Sequence, residues 1–228
     1  MRGAQRLPSQ LSAFTSLFNK ETSMENTETQ INSHLDSACQ ALAFWLGYQE
    51  ARSRRHPIRE IAVVTELLAL LDAKIARKQF RVHCETSWSF LVPTISQDDD
   101  MGNRRADITI TKDEVTQFAI EVKKNEGRFT QTASAAWIKD LSKLCELKKL
   151  REDIAIRLIM VFNHPLPSEW MTQTGRAGRQ IFEANGVKYR LRRILKAHPL
   201  LPTIDEKNLK LMMKKGPSVV IIEPLANV

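Results

Sequence analysis

Apolar positions recur at helical spacing in some stretches of the chain and as short extended runs in others. Over residues 58–75, with Val64 set at zero and a step of about 100° per residue, Ile61, Leu67, Leu68, Leu71 and Ile75 fall in one apolar sector. Glu60 falls inside that sector and Glu66 lands nearly opposite it. A carboxylate on an apolar face is costly unless it is paired or bound to a metal. Residues 134–151 place Ala136, Leu141, Leu144, Leu147 and Leu150 at near-helical spacing. An earlier helix over 29–52 is expected to bury Leu35, Ala38, Leu42, Trp45 and Leu46, covering the core or making a dimer contact.

Extended runs lie between and after these helices. Residues 80–88 read as a strand, and the polar segment holding Asp98, Asp99 and Asp100 as a solvated loop. RADITI and FAIEVKK flank a turn supplied by Lys112, Asp113 and Glu114, which predicts a hairpin. Residues 154–162 form a short, almost purely apolar run, fitting a strand buried on both faces. Beyond them, 169–185 is expected to be a helix weakened by Gly175 and Gly178, and 219–222 a peripheral strand. The predicted fold class is α/β, a mixed central sheet of four or more strands flanked by helices. The expected organisation is a flexible leader over 1–28, an N-terminal helix and basic linker over 29–56, a core over 57–163, and a basic C-terminal extension over 164–228 packed on that core.

The hairpin carries the candidate chemistry. Side chains alternate along a strand, so Glu121 and Lys123 share a face while Ile120 and Val122 point the other way. Asp107 opens the preceding strand, and folding the hairpin brings two carboxylates and an ammonium to one edge of the sheet. Hard oxygen donors of this kind suit Mg²⁺, which usually takes one or two protein carboxylates beside substrate phosphate oxygens.

This arrangement resembles the PD-(D/E)XK superfamily of nucleases, the restriction-endonuclease-like fold. Asp107 matches the first acid and Glu121-Val122-Lys123 the E-x-K half; Ala106 stands where the pattern has proline. The order helix, three strands, helix, strand (αβββαβ) over residues 57–163 is that of the superfamily core, and Glu60 is the better match to the acid that many members carry on the first helix. The resemblance implies a Mg²⁺-dependent nuclease, with Mn²⁺ able to substitute, that hydrolyses DNA phosphodiester bonds. Asp107 and Glu121 would hold the ion, and Glu60 would complete the site or bind a second ion. Lys123 would orient or help deprotonate the attacking water, or neutralise charge at phosphorus. The Q-x-x-x-Y pattern of the exonuclease branch is absent, since Gln131 is followed four residues on by Ala135, which favours an endonuclease. A restriction, defence or repair role and a homodimer with one active site per strand are further implications. A catalytically inactive nucleic-acid-binding or assembly module of the same fold is the alternative.

Composition extends the picture towards a polyanionic partner. The 34 basic and 26 acidic residues leave a net charge of +8, which suits DNA and does not exclude RNA. Phosphate contacts are expected from Arg105 and Lys124 beside the hairpin, and from Lys188, Arg190, Arg192 and Arg193 in the late basic stretch. Cys39, Cys84 and Cys145 are odd in number and widely spaced, and the histidines show no metal-ligand spacing. A soluble, cytoplasmic protein without membrane spans is expected. Residues 1–20 lack acids and carry Leu7, Leu11, Phe14 and Phe18 at amphipathic spacing, faintly like an organelle-targeting segment. A disordered leader, or an upstream start ahead of Met24, is the preferred reading.

Overall fold

The computed structural model describes residues 10–52, 58–75, 79–125, 131–163, 166–167, 170, 181–196 and 217–225, and among these described residues there are four helices and seven strands. In chain order they are α1 (Gln10–Arg52), α2 (Glu60–Lys74), β1 (Phe80–Ser87), α3 (Trp88–Leu91), β2 (Arg105–Lys112), β3 (Val115–Asn125), α4 (Gln131–Leu150), β4 (Ala155–Phe162), β5 (Ile181–Ala184), β6 (Val187–Lys196) and β7 (Ser218–Leu225). The strands form one mixed sheet in the order β1-β2-β3-β4-β7-β6-β5. β3 and β4 run parallel, joined through α4, and the other neighbours are antiparallel. The central run α2, β1, β2, β3, α4, β4 follows the expected helix-strand order, with the four-residue α3 inserted.

Helices cover both faces of the sheet, as parallel pairing requires. On one face Leu35, Leu42 and Leu46 of α1 and Val63, Val64, Leu67 and Leu71 of α2 pack on Ile108, Ile110, Phe118, Ile120 and Val122. On the other, Trp137, Leu141 and Leu144 of α4 pack with Ala119, Ile156, Leu158 and Met160, joined by Trp170 and Tyr189. Trp137 meets Trp170 and Tyr189 edge-on, at centroid distances of 6.1 and 5.4 Å, the offset geometry that aromatic quadrupoles favour. Among the described residues no helix is long and apolar enough to cross a membrane.

Several expectations are corrected. α1 begins at Gln10, so helix extends through much of what was read as leader. In α2 the buried side chains are Val63, Val64, Leu67 and Leu71, whereas Ile61 is exposed. The buried arc is centred between Val64 and Leu67, about 110° from Ile61 at helical stepping, and Glu60 lies almost on its centre. On α4, Ala136 and Leu150 are exposed and Trp137 and Ile138 are buried in their place. The helix expected over 169–185 fails at its end, where Ile181–Ala184 is β5 in an antiparallel hairpin with β6; residues 171–180 lie outside the described ones. β7 is central, inserted between β4 and β6 and buried, and the C-terminal segment continues the core sheet where a packed appendage was expected. The basic linker residues Arg54 and Arg55, and Arg176 and Arg179, lie outside the described residues.

Candidate metal and catalytic site

The site forms where β2 and β3 part. Their ladder runs as far as Ile108 opposite Ile120, while β3 stays paired with β4 up to Asn125 opposite Phe162. Past the end of the ladder the Val122 N–H donates to Asp107 Oδ2 at 2.7 Å, so a side chain replaces the missing strand partner. Strand alternation puts Val122 with the α1–α2 layer and Glu121 and Lys123 on the side of α4. The structure thus places Asp107 near Glu121, and Lys123 beside Glu60.

Glu60 arrives from the first turn of α2, where a carboxylate also complements the helix dipole. Its Oε1 lies 3.4 Å from Lys123 Nζ, and its Oε2 accepts the Lys124 N–H at 2.9 Å. Two residues of α4 that the sequence reading passed over complete the cluster. Asp140 Oδ2 lies 3.6 Å from Lys123 Nζ. Lys143 Nζ donates to Glu121 Oε1 at 2.6 Å and also to the Arg105 carbonyl. Both are half-buried and sit beside the buried Leu141 and Leu144. A charged pair three apart on the border of an apolar stripe was the available signal.

A further acid was also missed. Glu85 lies on β1 between Cys84 and Thr86, which pair with Ile108 and Ala106, so it stands across from Asp107. Its φ of 53° is left-handed, unusual for a side-chain-bearing residue within a strand. Strain of this kind costs roughly 1–3 kcal/mol and concentrates at functional sites.

Electrostatics separates the carboxylates. Burial pushes Glu121 up to about 8, Asp107 repels in the same direction, and Lys143 opposes both. Burial also raises Asp107, against the Val122 N–H and Lys143, with Glu85 and Glu60 adding repulsion. Burial raises Asp140 over the opposition of Lys123 and Lys143. For Lys123, burial works against the charge, yet Asp140 and Glu60 outweigh it and hold the ammonium above its ordinary value.

Asp107 and Glu121, two crowded hard-oxygen groups with raised proton affinity, fit a divalent cation that draws its remaining ligands from water and phosphate. Among the described residues no three His, Cys, Asp or Glu side chains are grouped to hold a metal. Arg105 is exposed, 3.9 Å from Glu85, and Lys188 is exposed at the far side of the sheet. Lys124 corrects an expectation: it is buried, with Nζ on the Ile58 carbonyl, because α2 covers the face opposite Lys123. Arg190 pairs with Glu223, and Arg192 and Arg193 both pair with Asp36 of α1. The register shift in β6 between Leu191 and Arg193 lets two consecutive arginines reach the same acid. β6 is three strands from β3, roughly 14 Å at ordinary strand spacing. Comparison with protein-family models, curated proteins and solved structures gave no match.

Proposed function

We propose that this chain is a Mg²⁺-dependent nuclease of the restriction-endonuclease-like kind, hydrolysing phosphodiester bonds in DNA as an endonuclease. The observation that carries the reading is the Asp107 and Glu121 pair at the parting of β2 and β3, with Lys123 on the same face. When bound there, a divalent cation supplies Lewis-acid polarisation of a phosphoryl oxygen. Asp107 and Glu121 would hold it, Asp107 fixed in direction by the Val122 N–H. Lys123, steadied between Glu60 and Asp140, would orient the attacking water or neutralise charge gathering on the phosphorus centre. Its raised proton affinity makes it a charged donor at neutral pH rather than a base. Exposed Arg105, close to Asp107 in the chain, would contact the neighbouring backbone phosphate. Cutting both strands would take two copies of the chain.

A second reading has one observation in its favour. Lys143 already occupies Glu121 Oε1 at 2.6 Å, as it would in a nucleic-acid-binding or assembly module of the same fold that carries out no turnover. Incubation of supercoiled plasmid with the protein and Mg²⁺ or Mn²⁺ decides between them, with EDTA and Lys123→Ala as controls. Metal-dependent nicking that disappears in Lys123→Ala is the expected result. Plasmid left intact by protein that shifts its mobility on a gel would establish the binding module instead.

A further inference from the structure

We infer that Lys143 is the resident cation of this site: its ammonium takes the place beside Glu121 that a divalent ion would occupy, and ion binding displaces it towards the substrate phosphate. The inference rests on the nuclease reading above. Glu121 is 5% exposed, and its ionised form, the one a metal ion would take, needs a counter-charge in so enclosed a place; Lys143, in contact at 2.6 Å, is the cation placed to supply it. The motif lysine is engaged elsewhere, since Lys123 sits between Glu60 and Asp140 at 3.4 and 3.6 Å. The lysine in contact with the proposed metal ligand therefore comes from α4 and not from the E-x-K strand.

Lys143 is also built to leave. Its charge is a compact ammonium on a flexible four-carbon stem, its side chain is 22% exposed, and its second partner is the backbone carbonyl of Arg105 at the edge of β2. Withdrawal needs only rotation about side-chain bonds. Glu121 and Asp107 would hold a divalent ion, whose double charge would take the place of one ammonium contact. The freed ammonium remains anchored on α4 one turn from Asp140, which holds Lys123. Both lysines would then flank the reacting phosphate.

Calorimetric titration of MnCl₂ into the full-length wild type, Lys143→Met and Lys143→Arg, without nucleic acid, tests this. The Met variant removes the competitor, and Mn²⁺ should bind about tenfold more tightly, a change of ~1.4 kcal/mol. In the Arg variant the planar fork holds a carboxylate harder, and Mn²⁺ should bind more weakly than in the wild type. Because loss of Lys143 strands the buried Glu121 carboxyl, each protein is also melted with and without MnCl₂, and the metal-induced rise should be largest for Lys143→Met. The affinity order Met, Lys, Arg together with that larger rise supports the inference. Wild-type binding with no gain in affinity or in melting shift for Lys143→Met overturns it and leaves the nuclease reading intact. Absence of Mn²⁺ binding from all three overturns both.

Discussion

Glu121 is a carboxyl whose folded surroundings strongly oppose its charge. Its carboxyl is raised by burial and by Asp107 from an ordinary 4.5 to about 8, so between those values the folded state holds a proton that the unfolded state releases. Stability then falls as pH rises across that window, the reverse of the usual salt-bridged acid. In EDTA, Glu121→Gln should therefore gain stability over wild type progressively from about pH 5 to pH 8, because the amide keeps an acceptor for Lys143 without a proton to lose. Thermal melts at several pH values check this, and a constant difference between the two proteins would refute it. A second prediction concerns Glu85, whose left-handed backbone makes Glu85→Gly stabilising by about 0.5–1 kcal/mol once the entropic cost of glycine is subtracted, measured as a shift in denaturant midpoint. What was legible at this scale followed strand alternation, which placed Asp107, Glu121 and Lys123 from local spacing. Asp140 and Lys143 were not, because a polar residue beside an apolar helical stripe looks the same whether it faces water or a neighbouring strand.

At the scale of elements, the hairpin shows how local chemistry and fold can disagree. β2 and β3 pair up to Lys112 opposite Val115, leaving Asp113 and Glu114 as a two-residue turn, both with positive φ of 50° and 65°. That is the type I′ arrangement whose twist matches the flanking strands, and it favours Asn-Gly or Asp-Gly. The turn was foreseeable from KDE between two apolar runs; its strain was not. Glu114→Gly should stabilise the protein by about 0.5–1 kcal/mol once the entropic cost of glycine is subtracted. The Glu114 pair with Arg81, at 3.6 Å and largely in solvent, contributes little to set against this. Equilibrium urea unfolding is the measurement, and a lower midpoint in Glu114→Gly would contradict the turn assignment. The phase of α2 failed for a comparable reason. Sequence periodicity found an apolar helix, but which part of its arc is buried depends on how α1 and the sheet enclose it, and that enclosure left Ile61 outside.

At the scale of the whole molecule, the candidate site lies between Glu60 and Lys143, yet the sheet that supports it is completed by the end of the chain. β7 was hard to read because a short apolar run after Gly216-Pro217 has no local feature that separates an edge strand from a central one; its place is set by pairing with β4 and β6, both distant in sequence. Val219 and Ile221 face the α1–α2 layer, while Val220 and Ile222 face the α4 layer. β7 therefore joins both halves of the core. Its Glu223 pairs with Arg157, a β4 guanidinium with 3% of its side chain exposed, which also binds Glu28 of α1 at 2.8 Å. A chain ending at Pro217 would expose the β4 edge, strip both cores and remove one of the two counter-charges of a buried cation. Such a truncation should lose cooperative thermal unfolding, and under the nuclease reading its Mg²⁺-dependent nicking, although every site residue remains. Supplying residues 217–228 as a peptide should restore some of each, since a missing central strand can be returned in trans by β-strand addition. A truncated protein that melts cooperatively at the wild-type temperature would show that the site needs only the segment from α2 to β4.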